Sequence, residues 1–182
     1  MPHRPCHAGW RAAGHVAAAG FTLVELVAVM LIVGILAAVA IPALGGLTAR
    51  RGAIAAARVV RDLEYARGLA VHDGATTWVV FAAGGASYQI SAEPAGSAGR
   101  ADRVAVRDPA SNSELTRRLN TADLAGVLVT AADFDGSAEV GFNWMGAPLN
   151  QGEVELAVAG TVTFTGGFRV RVEPETGYIA AN

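Results

Sequence analysis

An unbroken apolar run from Phe21 to Ile41 sets the strongest limit on how this 182-residue chain can fold. The run reads FTLVELVAVMLIVGILAAVAI, and Glu25 is its only charged residue. At about 1.5 Å per residue, a helix of this length spans roughly 31 Å, which is one bilayer core. A helix in the core of a soluble domain rarely stays apolar on every face over such a length. The run therefore predicts a transmembrane helix.

The residues before this run do not follow the order of an ordinary secretory signal. Residues 1–20 contain Arg4 and Arg11 and no acidic residue. In a secretory signal, the small residues of the cleavage site follow the apolar stretch. Here the small-residue boundary, Ala17–Gly20, precedes it. This order argues against ordinary signal cleavage after the apolar run.

The segment around this boundary carries a recognisable motif. Gly20-Phe21-Thr22-Leu23-Val24-Glu25, followed by apolar residues, resembles the N-terminal motif of type IV pilins and type II secretion pseudopilins. The resemblance implies that a prepilin peptidase cuts between Gly20 and Phe21 and then N-methylates Phe21. It also implies a non-enzymatic filament subunit that crosses the inner membrane once, with its head in the periplasm.

Glu25 is expected to have a partner, because an ionised carboxylate in hydrocarbon is costly on its own. The resemblance implies that this partner is the N-terminal amine of a neighbouring subunit. The alternative is that Glu25 lies near the lipid headgroups and is solvated. The charge distribution disagrees with the implied orientation, because Arg50, Arg51, Arg58 and Arg61 follow the apolar run. The positive-inside rule favours the reverse topology, whereas the motif implies that the peptidase sets the orientation.

The sequence after the run indicates a second helical part and then a β-rich head. Pro42, followed by Gly45 and Gly46, predicts a kink or a short melted segment in the stem. An apolar stripe then recurs at helical spacing, and Gly74 is a plausible C-cap. The predicted organisation is a leader (1–20), a transmembrane half-helix (21–42), a periplasmic amphipathic half-helix (43–74) and a β-rich head (75–182).

Alternating apolar residues in the head predict antiparallel strands. A hairpin is expected from Thr77–Ala82 and Ser87–Ile90, which flank Gly84 and Gly85. Residues 92–123 look irregular and are expected to be the most mobile part. Further strands are expected at 126–130, 138–142, 153–157, 161–165, 168–173 and 177–180. The predicted fold class is α+β: the type IV pilin fold, with a long N-terminal helix packed on an antiparallel sheet.

A second resemblance lies in the head. The segments Val140–Pro148 and Phe168–Ile179 are similar to the C-terminal half of the GspH/FimT minor pilins, and the second contains a Thr-Gly turn at Thr176-Gly177. This similarity implies a minor pseudopilin of the type II secretion pseudopilus, in its tip complex. A minor type IV pilin with a role in pilus assembly, adhesion or DNA uptake is the alternative. A membrane-anchored β domain that never polymerises is a third interpretation.

Few residues suggest chemistry. Cys6 is the only cysteine, the chain has no lysine, and His72 is the only histidine after residue 20, so histidine or cysteine metal sites and Schiff-base chemistry are excluded. The acidic segment Asp133–Glu139 slightly resembles a calcium loop, but a plain acidic turn is the better interpretation. No cofactor is expected.

The expected partners are other pseudopilins or pilins, the inner-membrane assembly platform, the prepilin peptidase and membrane lipid. The resemblance implies that FimT-like pilins active in DNA uptake carry a short basic motif directly after the Thr-Gly turn. Here Tyr178–Asn182 contains no arginine, so DNA is not an expected ligand. Arg169 and Arg171 share a predicted strand face with Glu173, which offsets their charge. For Trp78, Phe142 and Trp144, packing is favoured over a recognition surface.

Overall fold

The computed structural model describes residues 21–96 and 99–182. The chain divides into two compact units, one that ends at Ile41 and one that spans Pro42–Asn182. A single helix, α1, is assigned from Leu23 to Asp73. Pro42 lies inside this helix, so the alternative that the stem melts there is wrong. Proline removes only one backbone hydrogen bond, and a helix of 51 residues has intact turns on both sides of it.

The first part of α1 has no buried side chains among those that are described. Every residue from 21 to 38 is exposed, with Phe21 81% and Leu23 80% accessible. Within the described residues, no helical stretch combines the length and the apolar character needed to cross a bilayer.

The last part of α1 packs against the head, as its apolar spacing predicts. Its buried side chains lie on one stripe: Ala55, Ala56, Val59, Leu63, Ala66 and Ala70. The helix ends at Asp73, and Gly74 follows it with a φ of +66°. A residue without a Cβ adopts this conformation freely, so the predicted C-cap at Gly74 is confirmed.

The strands form two antiparallel sheets rather than the single predicted sheet. The first has the order β3-β2-β1-β6-β7, and β4 pairs with the same strand, β2, as β3 does. The predicted hairpin is present as β1 and β2, in which Phe81 pairs with Tyr88. The strands are β1 (Thr77–Phe81), β2 (Ser87–Ala92), β3 (Val104–Ala105), β4 (Thr116–Arg118), β6 (Glu139–Phe142) and β7 (Pro148–Leu149).

The second sheet has the order β10-β9-β8-β5. Its strands are β5 (Val129–Asp133), β8 (Gly160–Phe164), β9 (Arg169–Val172) and β10 (Ile179–Ala181). The alternation predicted for the last strands is observed, because Val162, Phe164, Val170 and Val172 are all buried. These side chains join the helix stripe and the first sheet in one core.

One predicted strand is wrong. Residues 153–157 form only an isolated bridge between Leu149 and Glu155. The side-chain oxygen of Asn150 accepts hydrogen bonds from the backbone of Gly152 and Val154, which curls this segment into a turn. Val154 is accordingly 63% exposed, and only Leu156 of the predicted apolar face is buried.

Residues 92–123, which are predicted to be irregular, are only partly so. This stretch contains β3, β4 and two 3-10 turns, Arg100–Asp102 and Ala122–Leu124. Leu115 and Leu119 are buried, and Arg103 forms a 2.9 Å ion pair with Glu139 of β6. Single buried leucines within a polar sequence leave no periodic pattern, so sequence reasoning did not detect them.

Candidate assembly surface

The start of α1 is fixed by a local cap. The side-chain oxygen of Thr22 accepts a hydrogen bond from the backbone N–H of Glu25 at 3.2 Å. The Thr22 carbonyl oxygen accepts from the N–H groups of Glu25 and Leu26. Threonine followed three residues later by glutamate is the spacing of a capping box. The cap holds Glu25 in the first turn, where a carboxylate is favoured by the positive end of the helix dipole.

A continuous apolar surface follows this cap. We call it the N-terminal apolar surface, and it consists of the exposed large side chains from Phe21 to Leu36. Each of them is more than half accessible: Phe21, Leu23, Val24, Leu26, Val27, Val29, Met30, Leu31, Ile32, Val33, Ile35 and Leu36. An exposed apolar surface of this extent marks a site of interaction with a membrane or with other proteins.

The predicted site residues fall at different points of α1. Gly20 lies outside the described residues. Phe21 lies two residues before the helix and Glu25 in its first turn, whereas Pro42 lies well inside it. The roles of Gly20 and Phe21 in processing, and of Glu25 and Pro42 in assembly, stay predictions.

The C-terminal part of α1 is hydrogen-bonded to the Thr-Gly turn of the head. The Arg67 side chain donates hydrogen bonds to the carbonyl oxygens of Gly146, at 3.0 Å, and Thr176, at 2.9 Å. Gly177 has a φ of +62°, and a Cβ at this position would collide with the Gly146 carbonyl oxygen. The turn that the sequence singles out is therefore a docking point between the head and the helix.

The carboxylates of the acidic segment point to different partners. Asp133 accepts a hydrogen bond from the backbone of Gly136, and Asp135 accepts one from Ala157. Glu139 is buried and pairs with Arg100 and Arg103. No group of three or more potential metal ligands occurs in the described part of the chain. The segment has the structure of an acidic turn.

The three aromatic residues considered for recognition divide into two kinds. Trp78 and Phe142 are completely buried. The indole N–H of Trp78 donates to Glu93 at 2.7 Å, and the Arg100 guanidinium lies 5.9 Å from its ring centre. Trp144, by contrast, is 62% exposed. The packing interpretation therefore holds for Trp78 and Phe142 and is wrong for Trp144.

The two arginines of β9 differ in their pairing. Arg169 and Arg171 are both exposed on one face of the strand, as predicted. Arg171 forms a 2.7 Å ion pair with Glu173, so one of the two charges is offset. This arrangement leaves little positive charge for binding a phosphate backbone.

A polar contact between α1 and β2 was not anticipated from the sequence. The Tyr88 hydroxyl donates a hydrogen bond to the Asp62 carboxylate, and Arg117 lies 3.5 Å from the same carboxylate. Burial raises the pKa of Tyr88 far above its ordinary value, and the negative charge of Asp62 adds to this effect. The spacing of Arg58, Arg61 and Asp62 on α1 was visible in the sequence, but their proximity to β4 depends on the fold.

Comparison with known proteins agrees with this architecture. A family model described as "Type II transport protein GspH" matches residues 55–176, and a model of the prokaryotic N-terminal methylation motif matches residues 17–41. The methylation motif, the N-terminal helix and the antiparallel head define a type IV pilin-like protein. The chain belongs to the GspH family, whose members are structural pseudopilins. No curated protein and no solved structure matches the chain.

The first of these matches extends well beyond the head segments whose resemblance was evident by inspection. It includes residues 92–123, in which the sequence showed no clear pattern. The second match spans Gly20, Phe21 and Glu25. The predicted family and the predicted α+β pilin-like fold are therefore confirmed.

Proposed function

We propose that this protein is a minor pseudopilin, a non-enzymatic structural subunit of the type II secretion pseudopilus that acts in its tip complex and supports protein secretion. The precursor is anchored in the inner membrane by Phe21–Ile41, with its head in the periplasm. The prepilin peptidase cuts after Gly20 and methylates Phe21. The subunit then joins other pseudopilins on the inner-membrane assembly platform.

The observation that carries this proposal is the N-terminal apolar surface with Glu25 in its first turn. Side chains that are exposed on a helix in this way gain most when lipid or neighbouring helices cover them. Glu25 lies in the first turn of α1, four residues after Phe21, so a new amine on Phe21 of one subunit is a chemically suitable partner for Glu25 of another.

Processing is tested by replacing Gly20 with valine and measuring the intact mass of the protein from membranes. We expect the parent protein to lack residues 1–20 and to carry one added methyl group, whereas Gly20→Val keeps the leader. Gly14→Val is the matched control, because it changes another leader glycine in the same way and should be processed normally. Normal processing of Gly20→Val would contradict the proposed cleavage site.

The role of Glu25 is tested with Glu25→Gln, which removes the charge and keeps the size of the side chain. We expect co-purification with other pilin-like subunits to fall by about tenfold or more, because a buried amine would lose its counter-charge. The melting temperature of the head should not change. If Glu25 is only solvated near the headgroups, co-purification will persist, and the pairing is wrong.

A minor type IV pilin with an adhesive head is the second candidate, and the exposure of Trp144 favours it. Met145 and Tyr178 are also more than half exposed, so the head presents several large apolar side chains. Deletion of the gene in the native host separates the two functions. Loss of exoprotein secretion with intact pilus motility and DNA uptake supports the pseudopilin, and the opposite pattern supports the pilin.

A further inference from the structure

A polar cavity of about 450 Å³ lies between α1 and the segment around β4. Four of its lining residues are arginines and one is acidic. Arg58, Arg61 and Asp62 line it from α1, and Arg117, Arg118 and Thr121 line it from the opposite segment. All of them belong to the unit Pro42–Asn182.

Most of this positive charge has no side-chain partner in the part of the chain that the structure describes. Arg117 lies 3.5 Å from Asp62 and 3.0 Å from Asp108. The side chains of Arg58, Arg61 and Arg118 make no hydrogen bond or ion pair within residues 21–96 and 99–182. Other arginines of the same unit do bind carbonyl or carboxylate oxygens, among them Arg67, Arg100, Arg103 and Arg171.

The acidic residue of the cavity does not compensate for these three arginines. The Asp62 carboxylate already accepts a hydrogen bond from Tyr88 and faces Arg117. Like charges that line one cavity repel each other and contribute nothing to folding. An anion that enters the cavity would replace this repulsion with charge-assisted hydrogen bonds.

Guanidinium groups bind carboxylates and phosphates with the same forked geometry, so the shape of the site must decide between them. A nucleic-acid backbone needs an extended basic track, and its affinity grows with the number of phosphates that are neutralised. This basic site is confined to one cavity on a protein whose net charge is −2. Both facts favour a short acidic segment of a protein over a nucleic acid.

We propose that the arginine cavity receives carboxylate side chains from a neighbouring pilin-like subunit. This inference rests on the proposed function, because it names the chemistry of a contact within the same assembly. The cavity lies on the helix and head of the subunit, so this contact is separate from the N-terminal apolar surface. It would fix which neighbour docks beside the head, since charge complementarity gives specificity more than affinity.

The test uses the full-length protein in its native host with a photo-crosslinking amino acid in place of Thr121, which is exposed and lines the cavity. We expect crosslinks to another pilin-like subunit, through a peptide that contains aspartate or glutamate. Combining Arg58→Gln, Arg61→Gln and Arg118→Gln should reduce the yield by about tenfold or more. Arg117 is left in place because it pairs with Asp62 and Asp108.

Matched controls separate binding from folding. Arg169→Gln removes an exposed arginine outside the cavity and should change the yield by less than about twofold. The melting temperature of the triple variant should stay the same or rise, because three unpaired like charges are removed. A probe in place of Gln151, which is exposed and does not line the cavity, reports on non-specific crosslinking.

Several results would overturn the proposal. They are an unchanged yield in the triple variant, a nuclease-sensitive adduct, or an absence of crosslinks at Thr121 while a probe at Val33 still captures pilin-like subunits. The last result would leave the proposed function intact. If no probe on the head or on α1 captures a pilin-like protein, the proposed function itself is wrong.

Discussion

The two ends of α1 are both rich in apolar residues, yet they differ in what covers them. From 21 to 38 every side chain is exposed, whereas from 55 to 70 one stripe is buried against the sheets of the head. The first segment is apolar around its whole circumference. The second confines its buried residues to one face and leaves charged residues such as Arg61 and Glu64 outside.

This difference shows that apolar content alone does not decide where a helix is stabilised. A stripe at three- and four-residue spacing can be covered by one sheet surface, so the chain supplies its own partner. A helix that is apolar on all faces needs partners on all sides. The C-terminal end of α1 therefore contributes to folding, whereas the side chains from 21 to 38 stay exposed.

The largest difference in stability is expected when a leucine is replaced by alanine at each end of α1. Leu63 is completely buried, and Leu63→Ala should lower the free energy of unfolding by about 2–5 kcal/mol, because it leaves a cavity in the core. Leu31 is 63% exposed, and Leu31→Ala should change that free energy by less than about 0.5 kcal/mol. Denaturant unfolding of the full-length protein in detergent, followed by Trp fluorescence, measures both. Equal losses of unfolding free energy at the two positions would mean that the two ends of α1 do not differ in how they are packed.

A smaller contrast is expected between two glycines of the packed end. A Cβ at Gly52 would lie 2.5 Å from a ring carbon of Phe168 and 3.1 Å from the Thr165 carbonyl oxygen. Gly52→Ala should therefore cost about 1–2 kcal/mol, because overpacking outweighs the gain in helix propensity.

Gly68 is the matched position, because a Cβ there has no neighbour within 4 Å. Gly68→Ala should raise the free energy of unfolding by about 0.5–1 kcal/mol through helix propensity alone. Thermal melts of the two variants in the same detergent give the comparison. Stabilisation by Gly52→Ala would mean that the helix does not lie so close to Thr165 and Phe168, which are between β8 and β9.

The smallest effect concerns pH and the contact between Tyr88 and Asp62. Burial raises the pKa of Tyr88 above the ordinary value of 10.0, so the folded protein keeps a proton that the unfolded chain loses. The contribution of the Tyr88 proton to the stability of the fold is complete below about pH 10 and is lost as the pH rises above it.

Unfolding curves between pH 8 and pH 11, roughly the range around the tyrosine pKa, test this expectation. Tyr88→Phe should be about 1 kcal/mol less stable at neutral pH and should show a smaller decline above pH 10. Tyr178 is 64% exposed, so Tyr178→Phe should behave like the parent protein. If Tyr88→Phe loses as much stability above pH 10 as the parent protein does, another group is responsible for the titration.

Prediction from the sequence was accurate where a local pattern reports a local structure. The helix end at Gly74 follows from the freedom of glycine at positive φ, and the β1–β2 hairpin follows from alternating apolar residues around a glycine pair. It failed at 153–157, where the alternation of Val154, Leu156 and Val158 is real but Asn150 turns the backbone instead. It also failed for Trp144, because the burial of an aromatic side chain depends on which other elements the tertiary structure packs against it.

The amino-acid sequence alone was sufficient to predict the motif at Gly20–Glu25, the α+β fold class and the apolar stripe of α1. Each of these depends on residue identity and on spacing along one element. Three features could be seen only in the tertiary structure. They are the two-sheet arrangement, the short strands and 3-10 turns within residues 100–124, and the arginine cavity. Arg61 and Arg117 lie far apart in sequence, and no periodicity links a helix face to a short strand. Only the fold brings their charges to the same cavity.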